Sequence, residues 1–581
     1  MLTRFSICLI SLSLFCSVSV LLGEEVRLLP ASLVLDGQAA RHRVIVERFD
    51  GDTATGLIQA ELKSDDQSIV RIEGNLAVAV GDGETTVRAI AGEREIATAK
   101  ITVTNTTERF QWTFRNHVQS VLAKQGCNGG ACHGALAGKG GFRLSLRGYD
   151  TARDHFNITT QQLGRRVDLA EPALSLLLTK PTAAIPHKGG KRIDEDSQHY
   201  QVIAEWIADG APAPTEQDAR LQQLEILPNI VTLKKGQQQP MIVRAHYSDG
   251  RVEDVTQWAK FTSANEAVAT VEENGTATVI GPGEGAISVW FGSQIVISRI
   301  TSPFDQQITP EAYVLAGRRN FIDELVLKQL RRLNLNPSPA CTDEVFVRRV
   351  FLDTIGTLPT SLEVREFLAG GSPTKRDDLI ESLLNRSEFN DFWAMHWADL
   401  LMINGNLLRP DAVKAYYKWV HDQVEANTPW DEFVRQVITA RGSSMENGAT
   451  NFFALHQSPE DMAENVSQAF LGLSIGCAKC HNHPLEKWTN DQYYSFANLF
   501  SRVRAKGWGG DARNGDGKRT LVTVSSGELI QPRTGKPQPP APLDAASLPF
   551  DSEIDRREYL ADWLVSPKNK LFARSISNRV W

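Results

Sequence analysis

Two close cysteine pairs, each followed at once by histidine, constrain this chain more than any other feature. Cys127-Asn128-Gly129-Gly130-Ala131-Cys132-His133 stands in the first third of the sequence and Cys477-Ala478-Lys479-Cys480-His481 in the last. Each gathers two thiols and an imidazole onto one short stretch of backbone. The chain has 581 residues, too many for one core, since single cores stop growing near ~250–300 residues. The two motifs are therefore assigned to different domains. Seven cysteines are too few for a disulfide scaffold at this size. With 23% charged and 42% hydrophobic residues, the composition is that of folded, soluble domains. A net charge of −7 leaves no basic excess to hold a polyphosphate backbone, which excludes nucleic acid as a partner.

The N-terminus reads as an export signal over residues 1–23. Arg4 precedes an uncharged, largely apolar run at residues 5–22, then small Gly23 and the acidic Glu24-Glu25, the order of a secretory signal. The alternative is an uncleaved anchor, for which a run of this length is at the lower limit. Cys16 follows the bulky Phe15 and is not read as a lipidation site. No later stretch approaches membrane-spanning length, so the mature chain is expected to work outside the cytoplasm, periplasmic or at the cell surface, with no membrane span. Signal removal takes Cys8 and Cys16 and leaves Cys127, Cys132, Cys341, Cys477 and Cys480. Cys341 has no assigned role.

Two segments, 27–104 and 221–300, alternate apolar and polar residues in short runs broken by Gly, Asp and Asn. Such runs predict β-sandwiches. They form a weak repeat: Gly81-Asp82-Gly83-Glu84 aligns with Gly281-Pro282-Gly283-Glu284, one residue being skipped before that anchor.

Between them, residues 110–212 carry the first cysteine pair. Helical spacing is expected over 111–124, a helix over 169–180, a loop around His187 and a closing helix with Tyr200 and Trp206. Covalent haem needs two thiols placed to meet its two vinyl groups and an adjacent imidazole for iron. Cys127 and Cys132 would be the thioether residues and His133 the proximal ligand. The four-residue gap requires an outward bulge, for which Gly129-Gly130 supply a permissive backbone. A strained disulfide, or a zinc site short of one ligand, is the alternative. No methionine lies between Met1 and Met241, so a thioether sixth ligand is missing from this segment. Of His117, His155, His187 and His199, the loop residue His187 is preferred as the distal ligand.

Residues 311–505 read as mainly helical. Ile322, Val326, Leu330 and Leu333 mark one helical face, and Thr342 or Asp343 is a candidate cap. The second pair has the C-x-x-C-H spacing, which would put both sulfurs on one helical face with His481 beneath the ring. Zinc held by Cys477, Cys480, His481 and His483 is the alternative, as is a disulfide. His483 is too near His481 to reach the opposite ring face. His396 is therefore the first distal candidate, ahead of Met395, Met402, Met445, Met462 and His456. Residues 506–550 read as a linker by composition, and residues 551–581 as the start of a further helical segment.

These stretches resemble known domains. Segments 27–104 and 221–300 resemble bacterial Ig-like domains of group 2, the second more closely because it carries SDGRVEDVTQWAKFTS. The resemblance implies sandwiches used as spacer or adhesive modules, with polysaccharide or cell-surface contact. Residues 110–212, with GCNGGACHG, GGFRLSLRGYD, EPALSLLLTKP, PHKGGKRI and YQVIAEWIADGAP, resemble the planctomycete cytochrome C domain. Residues 315–505, with TDEVFVRRVFLDTIGTLPT, FWAMHWADLL and GCAKCHNHPLEKWTNDQYYSFANLFSRV, resemble the second planctomycete cytochrome-like domain, of unknown function. Residues 551–581 resemble the opening of its C-terminal companion. The expected fold is thus multi-domain: two all-β Ig-like sandwiches, one small all-α cytochrome c domain and one larger mainly α-helical domain.

Three functions follow as expectations. The first is an exported c-type cytochrome with haem c at one or both motifs, passing electrons to a redox partner protein rather than acting as a stand-alone enzyme. The second is a haem-dependent oxidoreductase acting on an extracellular polymer. The third is a surface scaffold whose cysteine pairs are disulfides. No Ser/His/Asp arrangement, phosphate loop or paired-carboxylate motif accompanies them.

Overall fold

The computed structural model describes residues 25–38, 40–108, 110–292, 294–456, 458–483, 486–507 and 518–581; the expected signal lies outside them. Two compact units emerge. One comprises residues up to Cys132, Ala137–Leu144 and Thr151–Pro337. The other comprises His133–Leu136, Ser145–Asp150 and Ser338–Trp581.

In the first unit the weak sequence repeat becomes a strand-for-strand structural repeat. Leu76–Ala79 pairs with Arg41–Arg43 and Val70–Glu73, as Thr276–Val279 pairs with Gln238–Pro240 and Ala269–Val271. Arg94–Thr104 lies parallel to Ser32–Asp36 and antiparallel to Gly83–Ala91. Gln294–Ser302 repeats this with Ile230–Thr232 and Gly283–Phe291. The aligned glycines explain why the anchor survives. A Cβ on Gly81 would lie 2.8 Å from the Ser68 carbonyl oxygen, and one on Gly281 2.7 Å from that of Ala267. Gly83 and Gly283 both hold positive φ, 150° and 130°, where L side chains are strained.

The two sandwiches are joined rather than strung apart. Val231 pairs with Ala54, making one seven-stranded sheet with strands from both. Arg43 donates to both oxygens of the buried Asp254 carboxylate at 3.1 Å, which holds that carboxyl below its ordinary range against the opposing effect of burial. Nearby, Gln239 Nε2 donates to Glu47, and both residues are fully buried.

The segment expected as a small all-α cytochrome c domain shares its core with the second sandwich. Phe114, Val118, Trp206 and Ile207 lie in one continuous core with Val243, Val255 and Trp258 of the second sandwich. Lys124 Nζ donates to the carbonyls of Ala259 and Glu273, both at 2.7 Å. The helix expected over 169–180 also gives way, to a 3₁₀ turn at Pro172–Leu174 and a short helix at Leu176–Thr179. Ser175 between them is extended, and its Oγ accepts from the Asp168 amide at 2.9 Å. Ser and Asp satisfy backbone groups locally in this way and so compete with helix. Helices Gln119–Lys124 and Gln198–Ala208 form as expected.

The second unit is helical, with Phe321–Leu333 belonging to the first. Asn320 and Asp323 form a reciprocal capping box there. Thr342 stands at the cap position of helix Asp343–Ile355 without a side-chain cap bond. A small core of Val347, Phe351, Ile355, Phe367 and Leu383 is followed by a large one running from Ala394 to Phe572. That core corrects two expectations. Residues 518–550 are not a free linker: Val503–Lys506 pairs with Thr520–Thr523, and Leu521, Gln531 and Leu543 are buried. Residues 551–581 do not stand apart either, because Leu560, Ala561 and Leu564 of helix Arg556–Leu564 are fully buried in the same core. Among the described residues no helix is long and apolar enough to cross a membrane.

Burial raises the Glu47 carboxyl to about 7, the Gln239 bond opposing it only in part. A folded-state value above the unfolded one means stability is full below the unfolded pKa and falls as pH rises through the folded one. We predict stability falling between about pH 4.5 and pH 7 by up to about 3 kcal/mol. Glu47→Gln should flatten that slope in denaturant titrations across pH; an unchanged slope would refute the assignment.

Candidate functional site

The second cysteine pair is presented by a single 3₁₀ turn, Gly476–Lys479, closed by Cys480. With three residues per turn, positions i and i+3 eclipse, so Cys477 and Cys480 project to the same side. Both are exposed and neither is in a disulfide.

A buried amide fixes this turn from beneath. Asn490, at the start of helix Asn490–Asn498, donates from Nδ2 to the carbonyls of Ala478 at 2.8 Å and Lys479 at 3.0 Å. Its own amide N–H donates to Asn482 Oδ1 at 3.0 Å, and its side-chain oxygen accepts from Gln531 Nε2 at 2.6 Å. Gly476 allows a close approach on the other side, where a Cβ would sit 3.0 Å from Glu464 Oε2. Tyr493 donates to Glu464 at 2.6 Å; burial and that carboxylate push its hydroxyl far above the ordinary range. Tyr494 is pushed up to about 12, by burial first and then by the negative charges of Glu460 and Cys480.

His481 Nδ1 donates to the Asn482 carbonyl at 2.7 Å, which places the ring's lone pair on Nε2. A backbone carbonyl holding one ring nitrogen is how proteins orient a metal-binding imidazole. The Tyr149 ring lies against His481, centroids 6.3 Å apart and planes tilted by 47°. Among the described residues no three ligand atoms of Cys477, Cys480, His481 and His483 fall within 4.8 Å of one another, although His421, Asp422 and Glu425 do. In that exposed trio Asp422 is already paired with Lys418 at 2.7 Å and His421 faces Asp391 at 3.3 Å.

The first pair is built differently. After helix Gln119–Lys124 the chain descends through successive turns. The Cys127 amide donates to the Leu122 carbonyl at 2.9 Å, Gly129 to Gly126 at 3.1 Å and Cys132 to Gly129 at 2.9 Å. Cys127 packs against the hydrophobic core. Burial pushes its thiol up to about 11, the Cys132 thiolate adds to this, and Arg192 opposes it. Asn128, between the cysteines, is 2% exposed and its side-chain nitrogen has no partner.

Arg192 also links this motif to the loop of His187. Its Nε donates to the Gly189 carbonyl at 2.8 Å, so the loop lies within electrostatic reach of Cys127. His187 Nδ1 donates to the Gly190 carbonyl at 2.9 Å. Gly189 lets the His187 ring lie close over the backbone, a Cβ there falling 2.7 Å from His187 Cε1. The other histidines have structural partners. His117 is buried, accepting from the Thr113 amide at 3.0 Å with its ring against Phe110, Trp112 and Trp258. His155 Nε2 donates to the Ala211 carbonyl at 2.9 Å, and His199 Nδ1 accepts from Gln125 at 3.0 Å.

His396 is exposed on helix Ser387–Leu400, its ring against Phe392 and Trp393. Contacts of the turn at 476–481 include Glu460, Glu464, Asn490, Tyr494 and Tyr149. Met462 and Met445 belong to the large core, and Met395 and Met402 are exposed. His456 Nε2 accepts from Asn465 at 2.7 Å. Sequence reading missed Asn490, Glu464 and Tyr149; the one signal available for Asn490 was the Thr489-to-Gln492 helix-start spacing, which gives its place but not its downward reach.

Comparison with known proteins now defines two parts of the chain. Residues 321–505 match the PSCyt2 family model, described as "Protein of unknown function (DUF1549)". Residues 221–294 match the bacterial Ig-like domain (group 2). Neither match reaches residues 110–212. No curated protein matches. Among solved structures, domains 4 and 5 of the S-layer protein SbsC align at 10% identity over 44% of this chain and 89% of that one, with a TM-score of 0.13. Domains 5–6 of the same protein align at 10% identity over 48% and 100%, TM-score 0.20. The Escherichia coli adhesin FdeC aligns at 12% identity over 49% and 64%, TM-score 0.12. Likenesses this low in TM-score carry nothing about function.

The clamp is open to test. Asn490→Ala should remove two carbonyl contacts within a buried network and destabilise the chain by about 1–3 kcal/mol, with faster hydrogen exchange at the Asn490 and Cys480 amides. Unchanged melting and exchange would show that the turn stands without it.

Proposed function

We propose that this chain is an exported c-type cytochrome that passes electrons in an extracytoplasmic assembly. The observation that carries the reading is the turn at 476–481: two unlinked, exposed thiols on one side, next to an imidazole whose Nδ1 is tied to a carbonyl. That donor set suits a porphyrin edge and an axial iron bond. Cys477 and Cys480 would hold one haem with His481 as proximal ligand, and Cys127 and Cys132 another with His133. The buried, unpartnered amide nitrogen of Asn128 is what an absent acceptor beside the first pair would leave.

A bound haem supplies one-electron Fe(III)/Fe(II) exchange. The protein's part is to orient and shield. His187, held by Gly190 on the loop that brings Arg192 toward Cys127, is the distal candidate at the first site. Lacking a methionine there, the potential is expected to lie below that of His/Met ligation. At the second site His396, exposed on helix Ser387–Leu400, stays the distal candidate. The Ig-like sandwiches would present the chain to a surface or polysaccharide, and the partner is a redox protein. Export is inferred from residues 1–23.

The reading is tested by making the chain in a cell with a cytochrome c maturation system, then haem-staining the denatured product and measuring its intact mass. Two haems are expected. Cys477→Ser with Cys480→Ser should remove one, and Cys127→Ser with Cys132→Ser the other. A colourless chain of unmodified mass would refute it, and a thioether–iron charge-transfer band from the first site would refute His187.

A further inference from the structure

We propose that Tyr149 is a positioning residue of the Cys477–Cys480–His481 site, an inference that rests on the haem reading above. By sequence Tyr149 belongs to the segment around the first cysteine pair. By contact, however, Ser145–Asp150 belongs to the compact unit that holds the second. There the Tyr149 ring lies 6.3 Å from the His481 ring, tilted by 47°.

The backbone that delivers this ring is held under constraint. Arg147, two residues before it, has φ 58° and ψ 20° within the Leu146–Gly148 turn. A non-glycine residue there costs of order 1 kcal/mol and persists only where its surroundings over-determine it. Ser145 Oγ accepts from the Asp150 amide at 3.0 Å and closes the loop around that strain. A loop under such constraint, ending with an aromatic ring against the proximal histidine, has a role that the first motif does not explain.

His481 is held at Nδ1 by the Asn482 carbonyl, and the Tyr149 ring, half-buried like the imidazole, packs at its side as a second restraint on its orientation. Ring orientation and solvent access at an axial ligand set the electronics of the iron it binds. Tyr149 therefore tunes the second haem through His481, without touching the iron.

The test uses the full haem-loaded chain and compares Tyr149→Phe, Tyr149→Leu and Tyr149→Ala. Readouts are haem stoichiometry by mass, midpoint potentials and the ferric electron paramagnetic resonance spectrum. The Cys477→Ser/Cys480→Ser variant identifies which signal belongs to the second haem. We expect Tyr149→Phe to resemble the parent. Tyr149→Leu and Tyr149→Ala should keep both haems but shift the second potential downward, with altered g-anisotropy. If haem is attached at Cys477 and Cys480 and all three variants keep the parental potential and spectrum, the positioning role falls while the cytochrome reading stands. Absence of haem at that pair would instead sink the reading beneath it. If Leu and Ala both unfold while Phe does not, Tyr149 is a packing residue and the proposal is overturned.

Discussion

The second motif depends on a buried side-chain amide that satisfies a turn the backbone cannot satisfy for itself. A single 3₁₀ turn leaves carbonyls without helical partners, and a buried unpaired carbonyl costs about 1–3 kcal/mol. Asn490 takes two of them at once, and Gln531 in turn fixes the orientation of Asn490. With the carbonyls so engaged, Cys477 and Cys480 project outward from the turn. Bulk polar residues in a core thus hold the geometry of exposed reactive ones.

The same reasoning explains why Pro- and Gly-rich sequence after residue 517 folds into the body. Gln531 is wholly buried because it serves Asn490 and Asp491. Arg556 is 3% exposed and shares Glu528 with Arg502, holding that carboxyl below its ordinary range although burial alone would raise it. Composition reads such residues as solvent-facing, since charged and amide side chains are seldom buried unpaired. Their pairing, which spans tens of residues, has no local signature.

Where the determinant was local, the sequence was readable. Alternation located both sandwiches, and the glycine pair 81/83 aligned with 281/283 because in each copy a Cβ on the first glycine would strike a carbonyl and the second holds positive φ. Helix Phe321–Leu333 followed from its apolar face. The union of the first helical segment with the second sandwich was not readable, because Val118 and Trp206 look the same whether they bury against each other or against Val255. The cysteine-histidine motifs were plain from spacing. Their surroundings were not: Tyr149 lies far from His481 in sequence, and Asn490 is one of many polar residues at a helix start.

The two motifs, similar in sequence, set their sulfur in different surroundings. A thiol attacks as thiolate, and a thiol in apolar surroundings is inert. Cys127 is packed on a core and pushed up to about 11, whereas Cys477 and Cys480 stand exposed. On the proposed reading, a porphyrin edge meets Cys127 at the margin of that core and meets Cys477 and Cys480 on the surface, so packing shapes the first site and the Asn490 clamp shapes the second from beneath.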